Sequence, residues 1–99
     1  MRPSFERQLS SLEAMYRELL LSALLKCAKG QWGLFGHNLS PNPDAAELLE
    51  LGSKIERLRQ KCGLEPFELH DRLLRMRSSH HSNTPGEPKL AQRWIEELT

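Results

Sequence analysis

Gly30-Gln31-Trp32-Gly33-Leu34-Phe35-Gly36-His37-Asn38 joins two strongly helical segments and decides how they can be arranged. A connection between helices ordinarily runs through water and avoids bulky apolar groups. This one carries Trp32, Leu34 and Phe35 between three glycines spaced three apart. Those side chains either fold back onto the flanking helices or are offered to a partner. In the first reading Trp32 and Phe35 seal the open end of a helical bundle against Trp94 or Phe67, each ring hiding about 150–250 Å². Sealing is the expected arrangement, because exposing such a patch is costly for a soluble monomer. In the second reading Trp32, Leu34, Phe35 and His37 form a recognition knob, tryptophan being a frequent anchor of binding hot spots.

Upstream of the loop, Phe5, Leu9, Leu12, Tyr16, Leu19 and Ala23 follow a 4-3-4-3-4 spacing, the seam of an amphipathic helix over residues 4–28. From Leu19 onward the apolar arc widens to Leu20, Leu21, Leu24 and Leu25, so this half is expected at the centre of the core. Gly30 suits a left-handed C-terminal cap. Downstream, Asn42 is the expected N-cap and Pro43 the first residue of a helix over 43–62. Its inward stripe reads Ala45, Leu48, Leu51 or Gly52, Ile55, Leu58 and Cys62. Gly52 weakens a helix interior by about 1 kcal/mol relative to Ala, for which a close helix crossing is the usual compensation.

Two shorter helices follow, over 66–77 and 88–98, each entered through Glu-Pro (Glu65-Pro66 and Glu87-Pro88). Leu69, Leu73 and Met76 line the first, with Phe67, His70 and Leu74 beside them; Leu90, Ala91, Trp94, Ile95 and Leu98 line the second. The polar stretch 78–87 between them reads as a mobile linker. No segment alternates long enough to make a strand. The fold class is therefore all-α: one domain over 1–99, a small four-helix bundle led by a long antiparallel hairpin of the first two helices, with the two shorter helices covering one face.

Ninety-nine residues suffice for a single modest core. The balance of 14 Lys+Arg against 13 Asp+Glu leaves a net charge of +1, which gives no bulk electrostatic case for nucleic acid or an anionic membrane. The N-terminus lacks the apolar run of a secretory signal, and the stretch Leu19–Leu25 is about a third of a membrane span. These features place the chain in the cytoplasm, with Cys27 and Cys62 as thiols.

No reaction centre emerges. The cysteines are 35 residues apart and lack the close partners that structural zinc prefers, so no metal and no cofactor is expected. Cys27 with His37 is the one nucleophile candidate, but a helix C-terminus opposes a thiolate. Glu47 with Glu50, and Glu96 with Glu97, read as solvated helix faces. Gly30, Gly33 and Gly36 follow a helix, so they do not form a phosphate-cradling loop.

Residues 55–73, running from Ile55-Glu56-Arg57-Leu58-Arg59 through Gly63-Leu64 to Glu68-Leu69-His70-Asp71-Arg72-Leu73, resemble the first two helices of repressor-type helix-turn-helix domains. The resemblance implies DNA binding. It stops before the turn and recognition helix that would read bases, because Leu74-Arg75-Met76-Arg77 leads into the polar linker. Arg57, Arg59, Arg72, Arg75 and Arg77 remain as phosphate contacts in that reading, against interleaved Glu56, Glu65, Glu68 and Asp71.

The expected function is a non-catalytic interaction or regulatory module acting through protein–protein contacts. Its surfaces would be the loop residues Trp32, Leu34, Phe35 and His37, and the seam residues Phe5, Leu9, Leu12 and Tyr16. Helices over 66–77 and 88–98 are too short to cover all of the first helix, so a symmetric homodimer through its N-terminal half is expected. A nucleic-acid-associated regulator is the alternative.

Overall fold

Pro3–Ala28 form α1, a helix of 26 residues, in the computed structural model, which describes residues 3–35, 39–79 and 87–99. At 1.5 Å per residue this helix is about 39 Å long; the whole molecule measures 46 × 22 × 22 Å. Three further helices follow: α2 (Ala45–Lys61), α3 (Glu68–Ser79) and α4 (Glu87–Leu98). The chain is predominantly helical, and α1 packs along both α4 and α2.

Contacts along α1 show which parts of it are covered. Asp44, at the start of α2, accepts hydrogen bonds from Ser22 (2.8 Å) and Lys26 (2.7 Å), while Arg59 near the end of α2 pairs with Glu13 at 2.7 Å. On the other side the Cys27 thiol lies 3.8 Å from the Glu87 carbonyl, and Arg17 donates to the Leu98 carbonyl at 2.8 Å. These bonds hold α1 between Glu13 and Cys27, and Leu9, a turn before Glu13, is still buried in the core. Leu9, Tyr16, Leu20, Ala23, Leu24 and Cys27 are the buried stripe of α1. Of the heptad seam, Leu12 and Leu19 are only partly buried and Phe5 stays at the margin. The apolar arc turns toward Leu20 and Leu24 because α1 has neighbours on two sides.

Leu48, Gly52 and Ile55 face inward from α2, Leu73 from α3, and Ala91 and Trp94 from α4. Phe35 stacks on Trp94 with ring centroids 6.3 Å apart. The loop thus sends Leu34 and Phe35 into the core, while Trp32 is half-buried.

Several boundaries differ from the sequence expectation. α2 starts at Ala45, and Asp44 takes the N-cap position without capping through its side chain. Its carboxylate is already engaged by Lys26 and Ser22. Asn42 is a staple instead: its Oδ1 accepts the Asp44 N–H at 3.0 Å, and its Nδ2 donates to the Ala23 carbonyl at 2.9 Å. α3 begins two residues after Pro66, because the Glu56 carboxylate of α2 accepts the Phe67 N–H at 2.7 Å. Residues 78, 79 and 87, expected in the linker, are helical; the rest of that stretch, 80–86, lies outside the described residues.

A strand pair also appears where none was expected. Trp32–Gly33 (β1) and Ser40–Pro41 (β2) pair in parallel, Trp32 opposite Ser40 and Gly33 opposite Pro41. Two residues are too few for alternation to register. Gly30 has φ +84°, the left-handed conformation expected there, and its N–H bonds the Cys27 carbonyl at 2.9 Å.

Candidate functional site

Apart from Asn42, the buried polar side chains among the described residues gather at two places. The first lies where the loop after α1 meets the start of α4. Glu87 is 4% exposed, and its Oε1 accepts the backbone N–H groups of both Leu34 and Phe35 at 2.7 Å. Arg77, at the end of α3, donates to the Leu34 carbonyl at 2.6 Å. Two consecutive amides held by one carboxylate fix the loop, and the apolar side chains on those amides are thereby held in the core. Cys27 borders this clasp fully buried. Burial and the neighbouring Glu87 charge push its thiol up to about 11, so it stays protonated at neutral pH and lacks the electropositive opening that a nucleophilic cysteine needs.

The second place is a buried Tyr–His pair between α1 and α3. Tyr16 is fully buried and His70 is 2% exposed, with the Tyr16 hydroxyl 2.8 Å from His70 Nδ1. Phe67 meets Tyr16 edge-on with centroids 5.2 Å apart. Burial, and then the Glu56 charge, raise the Tyr16 hydroxyl far above its ordinary range. Burial lowers His70, outweighing the opposing charges of Glu56 and Asp71. Both groups are therefore neutral at pH 7, and the hydroxyl and Nδ1 share one hydrogen bond whose direction follows the imidazole tautomer. The ring rests on Gly52 of α2, where any side chain would strike it. The compensation for a glycine inside α2 is thus a side chain from α3, where the sequence suggested a close helix crossing.

The expected contact residues divide sharply. Leu34, Phe35, Leu9 and Tyr16 are buried within the monomer, the first two as the sealing arrangement of the loop has it. The reason is the Glu87 clasp for the first two and the α1 core stripe for the others. Trp32, Phe5 and Leu12 keep partial exposure; His37 lies outside the described residues. Beside Leu12, Met15 is 54% exposed and, with Glu47, Glu50, Leu51 and Lys54 of α2, lines an open groove of about 320 Å³.

Most of the arginines proposed for phosphate contacts are used internally. Arg59 holds Glu13 and the Glu65 carbonyl. Arg72 pairs with Glu97 at 2.6 Å and lies 4.8 Å from the Trp94 ring centroid. Arg75 pairs with Asp71 one turn earlier, Arg77 holds Leu34, and Arg57 is exposed. Among the described residues no three His, Cys, Asp or Glu side chains come together as a metal site would require, and no helix is long and apolar enough to cross a membrane.

Sequence reasoning missed the roles of Glu87, Glu56 and His70. Glu87 read as a helix-dipole residue beside a linker, and His70 as a flank of the α3 stripe. Gly52 was the one available signal for His70, since it marked a site of close approach. No family model, curated protein or solved structure matches the chain.

Proposed function

We propose that this chain is a non-catalytic interaction module: one helical domain over residues 1–99, an antiparallel α1–α2 hairpin completed into a four-helix bundle by α3 and α4, working in the cytoplasm through protein–protein contacts. One contrast supports this reading. Among the described residues the buried polar side chains Asn42, His70 and Glu87 are committed to internal bonds, whereas apolar groups on α1 keep part of their surface exposed. Phe5, Leu12, Met15 and Leu19 recur at 7-3-4 spacing; Met15 is exposed, and Phe5, Leu12 and Leu19 are partly buried, the last two packed against the core. The occupant of that stripe is a second copy of the chain. In an antiparallel two-fold pairing of α1 helices centred near Ser10, Phe5 of each copy meets Met15 of the other, which is the self-complementarity such an interface needs.

Sedimentation equilibrium at micromolar concentration tests this. The expected result is a species of twice the 11.4 kDa chain mass; a monomer at every concentration contradicts it. The nucleic-acid alternative has less support, because Arg59, Arg72, Arg75 and Arg77 are engaged within the fold, leaving a weak electrostatic footprint. Retarded migration of duplex DNA at 50 mM salt, lost on raising the salt, would favour it instead.

A further inference from the structure

We propose that the Tyr16–His70 pair, seated on Gly52, is an acid-sensitive latch that holds the N-terminal half of α3 against α1 and α2 and releases it when His70 takes up a proton. The geometry carries this. His70 is 2% exposed, and its Nδ1 lies 2.8 Å from a hydroxyl that is itself fully buried. Gly52 closes one side of the ring with no space for a shift toward α2. Protonation makes both ring nitrogens donors and puts a cation in a site with almost no water.

The titratable groups around the ring are Tyr16 from α1, Glu56 from α2 and Asp71 from α3. Glu56 and Asp71 favour the imidazolium, and burial opposes it more strongly. Glu56 already spends one oxygen on the Phe67 N–H, and Asp71 is paired with Arg75. The direct route to water is an outward swing of α3, which also breaks the Glu56 bond to Phe67 and the Tyr16–Phe67 ring contact.

The sign follows from proton binding. The folded state binds the His70 proton less tightly than the open state, whose imidazole has its ordinary value of 6.5. The closed state is therefore fully favoured above about pH 6.5 and loses ground as pH falls toward the lowered folded value. One proton sets the steepest change at about tenfold in the open population per pH unit.

Native-state hydrogen exchange of the α3 amides between pH 7.5 and 5, corrected for intrinsic rates, reads the open population, and an imidazole NMR titration reads His70 in the same samples. The expected result is a rise of up to tenfold per pH unit in α3 opening below about pH 6.5, while the imidazole of closed His70 stays neutral, and the loss of that rise in His70→Asn, which keeps an acceptor near the Nδ1 position but does not titrate. Should His70→Asn fail to fold, His70→Gln serves: it too lacks a titrating ring, so the acid-dependent rise is lost there as well. Equal acid opening in the non-titrating His70 variant, or His70 titrating near 6.5 with α3 still protected, would each overturn the proposal.

Discussion

The imidazole of His70 occupies the space where a side chain at Gly52 would begin. This relationship reverses the usual effect of a helical glycine. Replacing glycine by alanine in a helix interior ordinarily stabilises by about 1 kcal/mol. Here Gly52→Ala is expected to destabilise by about 1–3 kcal/mol, as overpacked cores do. Urea unfolding measures it, and the effect should shrink in a His70→Ala background, where the methyl finds room.

Glu87 holds the aromatic loop by accepting two adjacent amides at 2.7 Å. Glu87→Ala leaves both buried N–H groups without that acceptor and is expected to lower stability by about 2–5 kcal/mol, while Glu87→Gln, which keeps an oxygen, costs less. Comparing the two variants by chemical denaturation separates the hydrogen bonds from the packing of the side chain.

Phe35 and Trp94 form the stacked pair beneath that loop. Phe35→Ala is expected to cost about 3–5 kcal/mol, as other large-to-small core truncations do. Trp32→Ala should cost less, because Trp32 is only half-buried. In a Trp32→Phe background the emission of the remaining Trp94 should be blue-shifted, since its indole is fully buried.

Asp44 gives a second pH window, distinct from that of His70. Burial alone would raise its carboxyl, but hydrogen bonds from Lys26 and Ser22 and the Lys26 charge hold it below its ordinary 3.8. A carboxyl lowered in the folded state stabilises fully above its unfolded value and loses that contribution as pH falls through the folded one. Asp44→Asn should therefore flatten the stability profile below about pH 4 and leave the region between pH 5 and 7 unchanged.

Helix identity was readable in the chain because four apolar stripes, from Leu9–Cys27 to Ala91–Trp94, share the helical period. Tertiary capture of helix ends was not. Asp44 is diverted by Lys26, Phe67 is capped by Glu56 from another helix, and Glu87 reaches back more than fifty residues to Leu34 and Phe35. Such bonds leave no local pattern, since each partner looks ordinary in its own segment. The seam of α1 was visible, but its division into a buried side at Leu9 and Tyr16 and an outer side at Leu12 and Met15 depends on where α2 and α4 settle. His70 looked like a flanking residue because nothing in its own helix pairs it with Tyr16.

The central claim is that the outer α1 stripe pairs two copies of the chain. Sedimentation equilibrium of the unmodified protein beside Phe5→Glu, with thermal melting of both at a concentration where each is monomeric, tests it most directly. A dimer for the unmodified chain, a monomer for Phe5→Glu and melting temperatures within about 2 °C of each other, as expected for a marginal surface change, is the predicted result. An unmodified chain that stays monomeric, or a Phe5→Glu variant that dimerises as tightly, would contradict it.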